Sequence, residues 1–194
     1  MKSPLVLILL LFCCSAIAQL SNKQVLDLKS GRMPDDTSYV YWLPYEKGKS
    51  YLLIQGANSK MSHQQELSLD FKMKKGSKVC AARAGTVVDA RGDSDKGGLK
   101  DANYSDGNYV IIRHDDGSTA YYWHLDKNGA YVKAGEHVKK GQLIGASGNT
   151  GYTAFPHLHF QVYDASGKEI MVRFLSKKGK VYPRPGNWYK CMQN

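Results

Sequence analysis

Between Leu52 and Val162 the chain repeats one theme, a short apolar stretch followed by a glycine-bearing turn. Stretches rich in Val, Ile, Tyr and Phe and bounded by such turns read as strands. The candidates are Tyr51–Gln55, Leu67–Phe71, Lys78–Ala81, Thr86–Arg91, Tyr109–His114, Ala120–His124, Leu143–Ala146 and His159–Tyr163. Lys75-Gly76, Asp116-Gly117, Asn128-Gly129, Ala134-Gly135 and Lys140-Gly141 supply the turns between them. Asp115-Asp116-Gly117 between two of these stretches predicts a hairpin. No amphipathic helix of consequence is expected, so the domain is mostly β. The turn rhythm around Lys75 and Lys133 is also that of barrel-sandwich carriers, but no lysine sits in a carrier motif.

The N-terminus reads differently. Lys2 is followed by ten apolar residues, Leu5 to Cys14, and then by Ala16-Ile17-Ala18. This is the pattern of a removable export signal, expected to span residues 1–18. The apolar run is about half of the ~20 residues that a membrane span needs, so no stable anchor is expected after cleavage. The reading is an exported protein, periplasmic or secreted. Without Lys2 the chain has 26 basic and 17 acidic residues, a net charge of +9. That balance suits anionic surfaces such as wall polymers. Nucleic acid is not expected, because no nucleic-acid motif is present. Cys80 and Cys191 survive cleavage and are expected to form a disulfide in an oxidising compartment. The expected order is a lead-in segment over 19–43, a domain over 44–175, and a tail over 176–194 packed on it and running extended from Tyr182 to Trp188. The polar run Asp93 to Asp106 is expected to be a loop beside a groove.

The chemistry concentrates in His157-Leu158-His159. Side chains alternate along a strand, so two imidazoles one residue apart share a face. A catalytic zinc takes three protein ligands and keeps one position open for water. His63, Asp70 and His159 supply a His, Asp, His set. His124, at the end of a predicted strand, and His157, beside His159, are placed to handle the proton of an attacking water. His114 and His137 are expected to be structural and exposed, respectively.

In order along the chain, Ser62-His63 through Leu69-Asp70-Phe71, Ala81 to Val88, Tyr122-Trp123-His124-Leu125, Gly148-Asn149-Thr150-Gly151 and Pro156 to Phe160 resemble the lysostaphin-type zinc metalloendopeptidases. The resemblance covers roughly Trp42 to Tyr163. It implies a compact antiparallel β-domain with a groove, one Zn2+ on His63, Asp70 and His159, and catalytic His124 and His157. It also implies an endopeptidase acting on peptidoglycan stem peptides and cross-bridges; a monomer is expected. The similarity of the Asp93 to Tyr109 stretch to Gram-negative members favours that envelope. One departure stands out. The usual first motif has His four residues before Asp; here Glu66 holds that place and His63 lies seven before Asp70. Glu66 is therefore an alternative first ligand, and a metal-poor regulatory module on the same fold is the alternative function.

Overall fold

The computed structural model describes residues 20–34, 39–177 and 179–192; the leader expected at 1–18 lies outside them. Helix α1 (Asn22–Ser30) comes first. The strands follow as β1 (Val40–Tyr41), β2 (Ser50–Gln55), β3 (Leu69–Lys72), β4 (Lys78–Cys80), β5 (Gly85–Arg91), β6 (Gly97–Gly98) and β7 (Asn108–Arg113). Next are β8 (Thr119–Ala130), β9 (His137–Val138), β10 (Leu143–Ser147), β11 (Gly151–Tyr152), β12 (Leu158–Tyr163), β13 (Arg173–Ser176), β14 (Gly179–Val181) and β15 (Trp188–Lys190). A 3-10 helix, Asp101–Asp106, lies between β6 and β7.

Alternation fixes the central strands. In β12, Leu158, Phe160 and Val162 are buried while His159, Gln161 and Tyr163 face the other way. Ala120 and Tyr122 of β8 and Val110 and Ile112 of β7 turn to the same side as the buried β12 set. With Leu53, Phe71 and Phe174 they build the main core. Each such side chain contributes about 1.5–3 kcal/mol when fully buried, so one face of the sheet is committed to the core. The opposite face is left for polar chemistry.

The strands form a ten-stranded antiparallel sheet in the order β15-β2-β3-β12-β8-β7-β5-β9, with β10 pairing to both β8 and β4. The predicted β7–β8 hairpin closes as expected, with Arg113 opposite Thr119 and Gly117 at φ 81° in the turn. Two buried phenols are satisfied within the core. Tyr122 Oη accepts from the Ala82 amide at 2.8 Å, and Tyr45 Oη donates to the Tyr189 carbonyl at 2.6 Å. The second bond ties the C-terminal strand to the body.

Four features differ from the sequence expectation. First, a helix forms in the lead-in segment: Ser21 and Gln24 make a reciprocal capping box, and Gly31 closes the far end in the left-handed region. Val25 and Leu28 are buried against Leu67 and Met171 in a second, smaller cluster. The helix was missed because nine residues offer little periodicity. Second, Cys80 and Cys191 are both buried thiols rather than a disulfide. Third, Asn128-Gly129 does not end a strand; β8 runs through it to Ala130, with Asn128 at φ 56°. Fourth, the tail is irregular over residues 182–187, turns at Pro185-Gly186, and then adds β15 to the edge of β2. Alternation over three residues is too short a signal to reveal such a strand.

Candidate active site

The polar face of β3, β12 and β8 carries the site. His159 of β12 lies directly opposite Asp70 of β3 and Trp123 of β8. This register puts the Asp70 carboxylate beside the His159 ring, with Oδ1 3.0 Å from Nδ1. His63 Nε2 approaches the other oxygen, Oδ2, at 3.1 Å. His157 Nε2 stands 3.6 Å from Oδ1. The expected pairing of His157 and His159 on one face is thus present, and both converge on one carboxylate. His63 and Asp70 are each only 1% exposed.

The long spacing from His63 to Asp70 is absorbed by a turn. The Glu66 amide donates to the His63 carbonyl at 3.1 Å, with Gln65 at φ 63° between them. The extra residues fold back on themselves and return His63 to Asp70. His63 Nδ1 is buried without a hydrogen-bond partner among the described residues. Holding a buried imidazole half-satisfied is costly, and core packing alone does not require it.

Outer contacts orient each group. Gln55, opposite Asp70 in the β2–β3 register, donates through Nε2 to Asp70 Oδ2 at 2.8 Å. His159 Nε2 meets Gln161 Oε1 at 2.6 Å, and Gln161 Nε2 donates to Tyr163 Oη at 2.6 Å. Since an amide oxygen only accepts, His159 carries a proton on Nε2. Gln161 and Tyr163 follow His159 at period two and were readable as same-face neighbours; Gln55 was visible only through sheet register.

His124 reaches the site through a β-bulge. Tyr109 pairs with Trp123 and Asn108 with Leu125, leaving His124 as the extra residue. Its φ of 63° is left-handed. Strict alternation would aim His124 at the core; the bulge re-aims its ring toward the polar face. There Nδ1–H donates to the Thr150 carbonyl at 2.7 Å. His157 Nδ1–H likewise donates to the Phe155 carbonyl at 2.8 Å. Both rings therefore present Nε2 as a lone pair when neutral. Their centroids are 4.6 Å apart.

The electrostatics separate the four groups. Burial opposes the Asp70 charge, but hydrogen bonds from His159 and His63 outweigh it and hold the carboxyl well below its usual range. Burial also opposes charge on His159, yet Asp70 prevails and pushes it up to about 8. Burial, reinforced by the neighbouring His157 and His159, lowers His124 to about 3. Burial lowers His157 as well, against the pull of Asp70.

Aromatic side chains gather on the segments around the site. Tyr104 of the 3-10 helix stacks on Tyr152 of β11 at 4.3 Å and is 65% exposed. The Asp93 to Asp106 run, expected as a plain loop, thus contains strand β6 and the 3-10 helix. Phe155 lies 5.6 Å from His157. His114 sits at the other end of the hairpin, buried, with Nδ1 donating to the Ala84 carbonyl at 2.8 Å. His137 is exposed, with Nδ1 3.3 Å from Thr86 Oγ1. Neither joins the site.

The donor chemistry suits a zinc ion: two imidazole nitrogens and a carboxylate oxygen on one buried patch. Donor atoms of His63, Glu66 and His159 also lie within 4.8 Å of one another.

Comparison with known proteins matches the segment that carries this face to a family of peptidases. The profile of Peptidase family M23 matches residues 64–171, more than half the chain, and the chain belongs to that family. It is 39% identical to lysostaphin of Staphylococcus simulans over 123 residues, which cover 62% of this chain and 22% of that protein. It is 39% identical to the glycyl-glycine endopeptidase ALE-1 of Staphylococcus capitis over 126 residues, 62% of this chain and 30% of that protein. Against the peptidoglycan DD-endopeptidase ShyC of Vibrio cholerae it is 43% identical over 82 residues, 41% of this chain and 18% of that protein. The matched region thus spans under a third of each of these relatives. A zinc-containing peptidase from Vibrio cholerae superposes with a TM-score of 0.51 and 26% identity, covering 68% of this chain and 39% of that one.

Proposed function

We infer that the chain is an exported zinc endopeptidase that hydrolyses peptide cross-links of bacterial peptidoglycan. The observation that carries this reading is the convergence of His63, His157 and His159 on Asp70, with His124 alongside. His63, Asp70 and His159 would hold the zinc. Bound zinc would supply Lewis-acid polarisation of the scissile carbonyl and a more acidic water.

The chain's own residues do the rest. His124 and His157, each with Nδ1–H committed to a carbonyl, offer Nε2 to accept the proton of the attacking water. The same nitrogen returns that proton to the departing amine as the C–N bond breaks. Burial keeps both rings neutral, with Nε2 unprotonated, at neutral pH. Gln55 donates to Asp70 and holds it in place. Exposed Tyr104 and Phe155 line the approach for a peptide. Relatives named as glycyl-glycine and DD-endopeptidases support a peptidoglycan substrate. The ShyC relative favours a D-amino-acid cross-link.

Incubation of purified peptidoglycan with the chain, followed by mass spectrometry of released fragments, tests the reading. Cross-linked muropeptides should fall, and the H159A variant should lose both bound zinc and release. Full release by H159A would overturn the assignment.

A further inference from the structure

We propose that Trp188, Leu52, Lys72 and Lys190 form a substrate subsite for a carboxylate-bearing peptide segment several residues from the scissile bond. This deepens the endopeptidase reading above and rests on it. Strand register brings the four together. Leu52 of β2 lies opposite Lys72 of β3 on one side and Trp188 of β15 on the other. Directly opposed residues of antiparallel strands share a face. Lys72 follows Asp70 by two, so the row lies on the face that carries Asp70 and His159. Lys190, two beyond Trp188, joins that face opposite Ser50.

One end of the row meets the catalytic residues. Lys72 Nζ is 5.8 Å from the centroid of the Phe155 ring, and that ring is 5.6 Å from His157. The other end is Trp188, three strands away from β12. Neighbouring strands are about 4.8 Å apart, so the row extends roughly 14 Å across the sheet. An extended peptide covers that distance in about four or five residues.

The backbone beneath the row is fixed. The Leu53 amide donates to the Asn187 carbonyl at 3.0 Å, the Gly186 amide to the Leu53 carbonyl at 2.8 Å, and the Cys191 amide to the Lys49 carbonyl at 2.9 Å. On this support the Trp188 indole is 67% exposed. A single exposed apolar side chain means little, but this one adjoins half-buried Leu52 on the catalytic face. An indole offers a large apolar surface and one N–H donor. Lys72 and Lys190 are exposed, and neither makes an ion pair among the described residues. Two such cations beside an apolar surface favour an anionic ligand with an apolar part. Leu52, Trp188 and Lys190 lie outside the 64–171 segment that the family profile matches, so the subsite is built largely by this chain's flanking segments.

The test measures hydrolysis of soluble cross-linked muropeptides, native and with their carboxyl groups amidated, by the wild-type chain and by W188A, K72Q and K190Q. W188A should raise KM about tenfold and leave kcat within about twofold of wild type, the signature of lost remote binding. K72Q and K190Q should each raise KM about threefold on native substrate, the size of an exposed ion pair, and not at all on amidated substrate. Urea unfolding midpoints of the lysine variants should match wild type. Unchanged KM in W188A overturns the proposal, as does an equal effect of K72Q on native and amidated substrate. If W188A keeps its KM but abolishes a concentration-dependent dimer in sedimentation, the surface seats a second copy and the proposal falls. A wild-type chain that leaves the muropeptides uncut overturns it together with the endopeptidase reading, so the two failures are distinct.

Discussion

His124 donates to the Thr150 carbonyl at 2.7 Å only because it is the extra residue of a bulge in β8, held at φ 63°. Left-handed backbone at a non-glycine residue is tolerated best by Asn and Asp and worst by β-branched residues. H124N should therefore fold with stability within about 1 kcal/mol of wild type, while H124V should lose about 1–3 kcal/mol. Both should lose peptidoglycan hydrolysis by about 10²–10⁴-fold. Urea unfolding paired with a turbidity assay separates the two effects, and an active H124N would remove His124 from proton transfer.

Gly151 supports the same contact from below. A Cβ there would come within 2.8 Å of Gly107 Cα, and its φ is 85°. G151A should cost about 1–3 kcal/mol and displace the Thr150 carbonyl that fixes His124. Activity should fall more than thermal stability predicts; an activity loss no greater than the unfolded fraction would contradict this.

Gln161 fixes the tautomer of His159 through its 2.6 Å contact with Nε2. Outer partners of this kind are worth about 10–100-fold in metal affinity. Q161M should weaken zinc binding by that factor while leaving the unfolding midpoint of the metal-free chain nearly unchanged. Chelator competition measures the first and differential scanning fluorimetry the second.

Helix α1 stiffens the loop that brings His63 into the site. Leu28 packs with Leu67 and Met171, and Asn58 Nδ2 donates to the Leu20 carbonyl at 2.9 Å. L28A should cost about 2–3 kcal/mol at this peripheral cluster. Hydrogen exchange should quicken over residues 57–67 and stay unchanged in β7 and β8; uniform protection would disconnect the helix from the loop.

The metal-free chain should be most stable near about pH 6.5, the ordinary histidine value. His159 is pushed up to about 8, so its contribution is complete below its unfolded value and is lost as pH rises through about 8. His124 is lowered to about 3, so the unfolded chain takes up a proton that the folded chain refuses, and stability falls as pH drops below the unfolded value. Urea titrations of chelator-treated protein between pH 5 and 9 check both limbs. H159Q should flatten the alkaline limb.

The mostly β class was legible because short apolar stretches such as Tyr109–His114 and His159–Tyr163 are separated by glycine-bearing turns. The His157–His159 face was legible because side chains alternate along a strand. Helix α1 and strands β13 to β15 were not, because short elements are stabilised by what they pack against rather than by their own pattern. The cysteines could be counted, but whether Cys80 and Cys191 are bonded depends on geometry that a sequence does not carry.

What the sequence determined alone is which side chains are available and which of them share a strand face, since that follows from covalent order and a period of two. Tertiary structure decided which faces meet. It set His159 opposite Asp70, folded the seven-residue His63 spacing back onto that carboxylate, turned His124 out of the core through a bulge, and brought Gln55 and Glu66 to the same place. Each of these depends on strand register or a left-handed residue. Both are settled by packing between segments far apart in the chain.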